Sequence, residues 1–305
     1  MFEGFERKRI ESNGITINLR QGGNGPPLLL LHGNPLTHVS WHKIAPRLAQ
    51  DFTVVAADLR GYGDSDKPRG APDHANYSFR TMAQDQVGVM ARLGFETFFV
   101  AGHDRGARVG HRMALDSPER VLKFASLDIV PTHWVFTHIT REWAQASYHW
   151  FFMAQPYDFP ERLLAGREEY YIRRKLDKPG VGTAGFTDAA MVEYIRCCTP
   201  ENIHGVCEDY RAAASVDFEM DRADLEAGRR IECPLLVLWG EQSHVERSFE
   251  PVAAWSRYAT RIAGARRLPC GHYPAEQASD ETCEELLAFF KDEPLRAGAR
   301  AATTA

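Results

Sequence analysis

Short apolar runs recur along the chain at Leu28 to Leu31, Phe52 to Ala57, Phe98 to Ala101, Lys123 to Leu127 and Leu235 to Trp239. Their length and β-branched or aromatic content suit buried strands. Between the second and third, a segment starting near Ser78 puts Ala83, Val87 and Met90 on one helical face,. Strand text alternating with helix text predicts an α/β fold, a mostly parallel central sheet flanked by helices. A last helix is expected with Asp280 as its cap and with Cys283, Leu286, Leu287 and Phe290 at i, i+3, i+4 and i+7,. From Thr132 to about Gly228 the apolar strand runs stop, and aromatic-rich, helix-like text such as WAQASYHWFFMAQP takes over until CPLLVLWG. Residues 132–228 are therefore expected to form a helical cap inserted between two parts of the core, 1–131 and 229–294. It would lie over the carboxyl ends of the strands, where open α/β sheets bind ligands. The stretch DKPGVGTAGFTD, 177–188, is expected as a connection inside the cap, and 295–305 as a flexible tail,.

Composition narrows the function class. The 305 residues are enough for one large domain with an insertion,. No apolar run approaches the roughly 20 residues of a membrane helix. The start, MFEGFERKRI, lacks the apolar core of an export signal, so a cytoplasmic location is expected,. Net charge is −5 and no Lys/Arg stripe interleaves with aromatics, which speaks against a nucleic-acid partner,. The six cysteines show no paired C-x-x-C spacing, so neither a metal site nor a disulfide framework is expected,.

The run ending at Ala101 meets Gly102-His103-Asp104-Arg105-Gly106, and helical spacing follows. This is the pattern of a nucleophile elbow, a tight strand-to-helix turn that needs small residues around the exposed side chain. Gly102, Gly106 and Gly110 supply them. The plain alternative is a glycine-rich turn with a surface Asp; a dinucleotide loop fits worse, because G-x-G-x-x-G is absent there. Ser attacking a saturated carbon would form an ether that water and a histidine cannot cleave. Asp104 would form an ester, which activated water can cleave. The carboxylate therefore points to displacement at carbon, opening a carbon–halogen bond or an epoxide.

A triad with this elbow runs nucleophile, acid, base along the chain. His272, in the loop LPCGHYP, stands where the base belongs. Asp128, ending the run KFASLD, is favoured as the acid, with Glu241 of LWGEQS as the alternative,. An oxyanion hole is expected from the backbone N–H groups of Asn34, in LHGNP, and Arg105,. Arg105 adjoins the nucleophile and Arg108 lies one turn beyond, so both are placed to fork a substrate carboxylate. Salt bridges to cap or core carboxylates are the alternative for the pair.

Together, GHDRGARVGHRMALD, LHGNP, ADLRGYGDSDKP, YHWFF and PCGHY resemble the haloacetate dehalogenases, especially the fluoroacetate dehalogenases, of the α/β-hydrolase superfamily, over residues 2–290. The resemblance implies the α/β-hydrolase fold, no cofactor and a homodimer. It also implies nucleophile Asp104, base His272, acid Asp128, carboxylate-binding Arg105 and Arg108, and a halide pocket of His149, Trp150 and Tyr210. Imidazole, indole and phenol donors suit a departing halide; packing is the alternative for such aromatics in a cap. Two departures bear on substrate range. Asn34 stands where fluoroacetate enzymes carry an aromatic. HGNP is a feature of haloalkane dehalogenases, yet those place Trp after the nucleophile, where this chain has Arg105. The expected activity is hydrolysis of a short 2-haloacid, fluoroacetate or chloroacetate, to glycolate and halide, through an Asp104 ester cleaved by His272-activated water. One rival is an epoxide hydrolase using Tyr148 and Tyr210 as acids, which would leave the arginine pair without a partner. The other is a non-catalytic receptor, which need not keep nucleophile, acid and base together.

Overall fold

The computed structural model describes residues 1–178 and 181–293; the expected tail, 295–305, and Pro179-Gly180 of the 177–188 loop lie outside them. One sheet holds β1 (Glu6–Ser12), β2 (Ile15–Gly22), β3 (Pro27–Leu31), β4 (Thr53–Ala57), β5 (Phe98–His103), β6 (Val121–Leu127), β7 (Leu235–Gly240) and β8 (Ile262–Leu268), in the spatial order β1-β2-β4-β3-β5-β6-β7-β8. The strands from β3 to β8 pair in parallel, while β1 and β2 form an antiparallel hairpin joined to β4. All five apolar runs are strands. Their centres are buried on both faces, which is why they carry continuous rather than alternating hydrophobicity,. The hairpin and β8 escape that pattern. ERKRIES and IAGARRL are the two edge strands, half in solvent, and their charges keep the edges from pairing with other chains,.

Helix α1 (Phe79–Arg92) starts as expected, with Ser78 Oγ accepting the Thr81 N–H at 3.2 Å,. Helix α2 (Arg105–Asp116) follows β5 directly. Between β6 and β7 the described residues form eight α-helices, one π-helical stretch (Ala213–Asp217) and no strand, with isolated bridges from Lys178 to Gly182 and from Ile231 to Ala259. Five of the α-helices line the site, among them α3 (His149–Met153), α4 (Glu168–Leu176) and α5 (Pro200–Ala212). The α5 helix is tied to the loop after β4 by Asn202 Nδ2 donating to the Gly61 carbonyl at 2.8 Å and by the Tyr62 hydroxyl donating to Asp209 at 2.6 Å. A short helix, α6 (His244–Ser248), follows β7. In α7 (Ser279–Phe290), Cys283, Leu286 and Phe290 are buried and Leu287 packs against the core. Asp280 does not cap it. Ala278 holds that position and its carbonyl accepts the Thr282 N–H, because the chain enters straight from the turn Pro274–Gln277; Asp280 sits in the first turn, paired with Arg47 at 2.6 Å.

Candidate active site

Asp104 occupies the turn between β5 and α2 with φ 48° and ψ −115°, a conformation costly for a residue with a side chain,. The turn is this tight because its neighbours have no side chains. A Cβ on Gly106 would lie 2.4 Å from the Leu31 carbonyl oxygen, and one on Gly102 would lie 2.5 Å from the Gly106 carbonyl oxygen. The strained turn presents a buried carboxylate whose Oδ1 accepts the Asn34 N–H at 2.9 Å. The Asn34 amide also donates to the Tyr210 hydroxyl at 3.3 Å.

His272, in the loop after β8, donates through Nδ1 to Asp128 Oδ2 at 2.6 Å and holds Nε2 3.6 Å from Asp104 Oδ2. Asp128, at the end of β6, is fixed by the Gly240 N–H on Oδ1 at 2.8 Å. Glu241 is exposed and takes no part; of the two acid candidates, only Asp128 meets the imidazole. The His103 ring donates to the His272 carbonyl at 2.6 Å; chiefly through burial, its pKa falls to about 4, so it stays neutral. Burial disfavours charge on Asp104, yet His272, His103 and Arg105 hold its carboxyl well below the usual carboxylate range. Burial likewise disfavours the His272 cation, but Asp104 and Asp128 outweigh it and raise the imidazole above its ordinary value,.

The two arginines are bound differently. Arg105 is fully buried and forks Asp209 of α5, through Nε at 2.8 Å and through Nη2, which also meets the Asp209 carbonyl at 2.9 Å. The salt-bridge alternative therefore describes part of this side chain, and its Nη1 remains a buried donor without a partner. Arg108 has no carboxylate partner among the described residues: Nη1 donates to the Val130 carbonyl and to Thr132 Oγ1, both at 3.0 Å, and Nε is buried unpaired. Burial, then Arg105, lowers its pKa to about 10, still a cation at neutral pH.

His149 and Trp150 of α3 and Tyr210 of α5 line a small cavity together with Asn34, Asp104 and His272. A second small cavity shares Asp104, Trp150 and His244 with the first and is lined by Arg108 and the apolar Val130, Trp143 and Phe249. Asp104 thus stands between a pocket lined by imidazole, indole, phenol and lysine donors and one with a guanidinium in an apolar wall. Tyr148 is not part of either; it is 61% exposed, on an outer vestibule. Three further lining residues, Lys175, Lys178 and His244, were not anticipated, nor was Asp209. RRKLDK gives no sign of a cavity wall, because a run of charges ordinarily marks a solvated face. Asp128, His244 and His272 bring one donor each within 4.8 Å of one another, but the 2.6 Å hydrogen bond already joins two of them.

A model of the α/β hydrolase fold matches residues 26–168. A fluoroacetate dehalogenase of Burkholderia sp is 47% identical over 96% of both chains. A soluble epoxide hydrolase of Corynebacterium sp. (strain C12) is 31% identical, covering 93% of this chain and 96% of its own. An α/β-hydrolase structure from Nostoc sp PCC 7120 superposes with a TM-score of 0.92 at 52% identity, over 95% of this chain and 99% of the other. With a parallel sheet, a carboxylate at the elbow and likeness along nearly its whole length, the chain belongs to the haloacetate dehalogenase family of the α/β-hydrolase superfamily.

Proposed function

We propose that the chain hydrolyses the carbon–halogen bond of a short 2-haloacid, fluoroacetate or chloroacetate, giving glycolate and halide. The observation that carries this reading is Asp104 itself, ionised and strained at the elbow, with an imidazole on one side and an unpaired guanidinium donor in the adjoining cavity. Oδ1 is held by the Asn34 N–H, so Oδ2 is the oxygen free to attack. Its lone pair forms the C–O bond, and the C–X pair departs on the halide toward His149, Trp150 and Tyr210. Arg108, joined by Arg105 Nη1, holds the substrate carboxylate and keeps the carbon in line,. In the second step His272 Nε2 takes a proton from water, and the hydroxide adds to the Asp104 carbonyl carbon. The resulting oxyanion rests on the Asn34 N–H; collapse expels the glycolate alkoxide, which takes the proton from His272, and Asp104, left as a carboxylic acid, loses its proton to solvent to restore the ionised nucleophile, so one proton leaves with each halide. The helices between β6 and β7 serve as a cap over this chemistry in the same reading. Likeness to the fluoroacetate dehalogenase favours a haloacid, and the cationic Arg108 disfavours a neutral epoxide, for which it has no role.

The test is His272→Asn mixed with fluoroacetate, chloroacetate and a small epoxide, followed by intact-protein mass measurement. The first step does not need the imidazole, so an ester is expected to accumulate on Asp104 with one halide released per chain. An adduct from the epoxide alone moves the reading to epoxide hydrolysis. No adduct from a folded variant that still binds haloacetate removes the Asp104 ester.

A further inference from the structure

Two ammonium groups on the cavity wall have no role in the mechanism above. Lys175, in the last turn of α4, is 8% exposed and lines the same cavity as His149, Trp150, Tyr210 and Asp104. Lys178, three residues on and half-buried, lines it too. Among the described residues neither Nζ has an ion-pair partner or a hydrogen-bond acceptor. That is unusual, because a buried ammonium is ordinarily paired. Burial, then the neighbouring lysine, pushes the Lys175 pKa well below its ordinary value, and burial lowers that of Lys178, so the charged form of each is favoured only with an anion beside it,. Asp104 is the anion acting on both, and it is spent when it becomes an ester. Arg108, the other unpaired cation, faces the second cavity, on the far side of Asp104. Ala146, Lys178, His244 and His272 line both the inner cavity and the outer vestibule, so Lys178 stands where one opens into the other.

We propose that Lys175 and Lys178 form a second anion subsite, beyond the neutral halide donors, that takes the released halide and passes it to the mouth. The identity of the occupant rests on the dehalogenase reading; the need of two unpaired cations for a small anion does not. Once the ester forms, the site holds two anions, the esterified acid's carboxylate at Arg108 and the free halide. Water must reach His272 before hydrolysis, and a halide left beside Asp104 stands in its way. A pair of cations leading outward draws that halide off while the organic anion stays covalently held.

The experiment measures inhibition of chloroacetate turnover by sodium bromide at fixed ionic strength, in the unmodified enzyme, Lys175→Met, Lys175→Arg and Lys178→Gln. Losing a charged hydrogen bond is expected to raise the bromide inhibition constant at least about tenfold in Lys175→Met and less in Lys178→Gln, with Lys175→Arg close to the unmodified enzyme. Bromide quenching of tryptophan fluorescence, with Trp150 in the cavity wall, reads the same binding without turnover. If Lys175→Met does not fold, Lys178→Gln at the mouth carries the test. Equal bromide constants in all variants, with chloroacetate turnover intact, overturn the subsite. A chain inactive on every haloacetate that still binds bromide through Lys175 removes the dehalogenase reading and keeps the anion subsite.

Discussion

Arg105 and Arg108 leave one helical turn three residues apart and do different work, and the difference lies in what each donor already touches. Arg105 is anchored by Asp209 and leaves one buried nitrogen to spare, so its charge is largely balanced by the protein. Arg108 donates to two neutral oxygens, lies over the Trp150 ring and has no carboxylate partner among the described residues, so it remains a net cation in an apolar wall. In the proposed mechanism its charge is the one a substrate carboxylate neutralises. Arg108→Leu is expected to cost chloroacetate a charge-assisted hydrogen bond worth about 1.5 to 3 kcal/mol, or roughly 10- to 150-fold in kcat/KM, while chloroacetamide loses far less. Equal losses on the two substrates would make Arg108 a structural residue.

The coupling of His272 to Asp104 has a sign that kinetics can read. Against the burial that disfavours its cation, two carboxylates hold the imidazole pKa above the ordinary histidine value. The neutral base therefore appears only as pH rises through that elevated pKa. Under the proposed mechanism, esterification would remove the Asp104 charge and leave Asp128 alone to support the cation, so the base would be freed at lower pH in the intermediate than in the resting enzyme. The midpoint of ester decay, followed by quenched-flow mass measurement across pH, is expected below the His272 titration midpoint that NMR reports for the free enzyme. Coincident midpoints would mean that the esterified group is not the carboxylate beside His272.

Among the elements, the β5-to-α2 turn is packed backbone against backbone. Gly106→Ala inserts a methyl into the Leu31 and His32 carbonyls at 2.4 and 2.5 Å, backbone that cannot rotate away. The variant is expected to lose about 1 to 3 kcal/mol in urea unfolding, with activity falling further as Asp104 moves off line. Activity retained at full stability would show that the helix has room to withdraw. This turn was legible in the sequence because its steric demand selects residue types: glycine where backbones touch and a carboxylate at the apex. The strands β3 to β7 were legible because burial on both faces removes polar residues. The edge strands β1 and β8 were not, since exposure lets charge into ERKRIES and IAGARRL. Lys175, Lys178 and His244 were missed for a related reason. They reach the cavity through the path of α4, the following loop and α6, and nothing local in RRKLDK or EQSHVER marks a residue that tertiary packing turns inward.

At the scale of the whole molecule the labour divides by layer. The sheet, its loops and α2 present Asp104, Asp128, His272, Asn34 and the arginines, which in the proposed mechanism make and break an ester; the helices between β6 and β7 present His149, Trp150 and Tyr210 on the wall of the first cavity. Under the proposed mechanism, changes in the first layer alter which organic acid reacts, and changes in the second alter which halide departs. The contrast is sharpest for fluoride, whose charge is concentrated and which leaves poorly without donors. His149→Phe and Trp150→Phe remove one N–H each while keeping an aromatic body. Each is expected to slow fluoroacetate by on the order of a hundredfold, as loss of a transition-state donor does elsewhere, and to slow bromoacetate much less. The ester trapped in the His272→Asn background separates the halide step from hydrolysis, so the effect must appear in the rate of ester formation. Two halides slowed equally, or an effect confined to ester decay, would place these side chains in packing rather than at the leaving group, and fluoride selectivity would then have to come from another wall of the cavity.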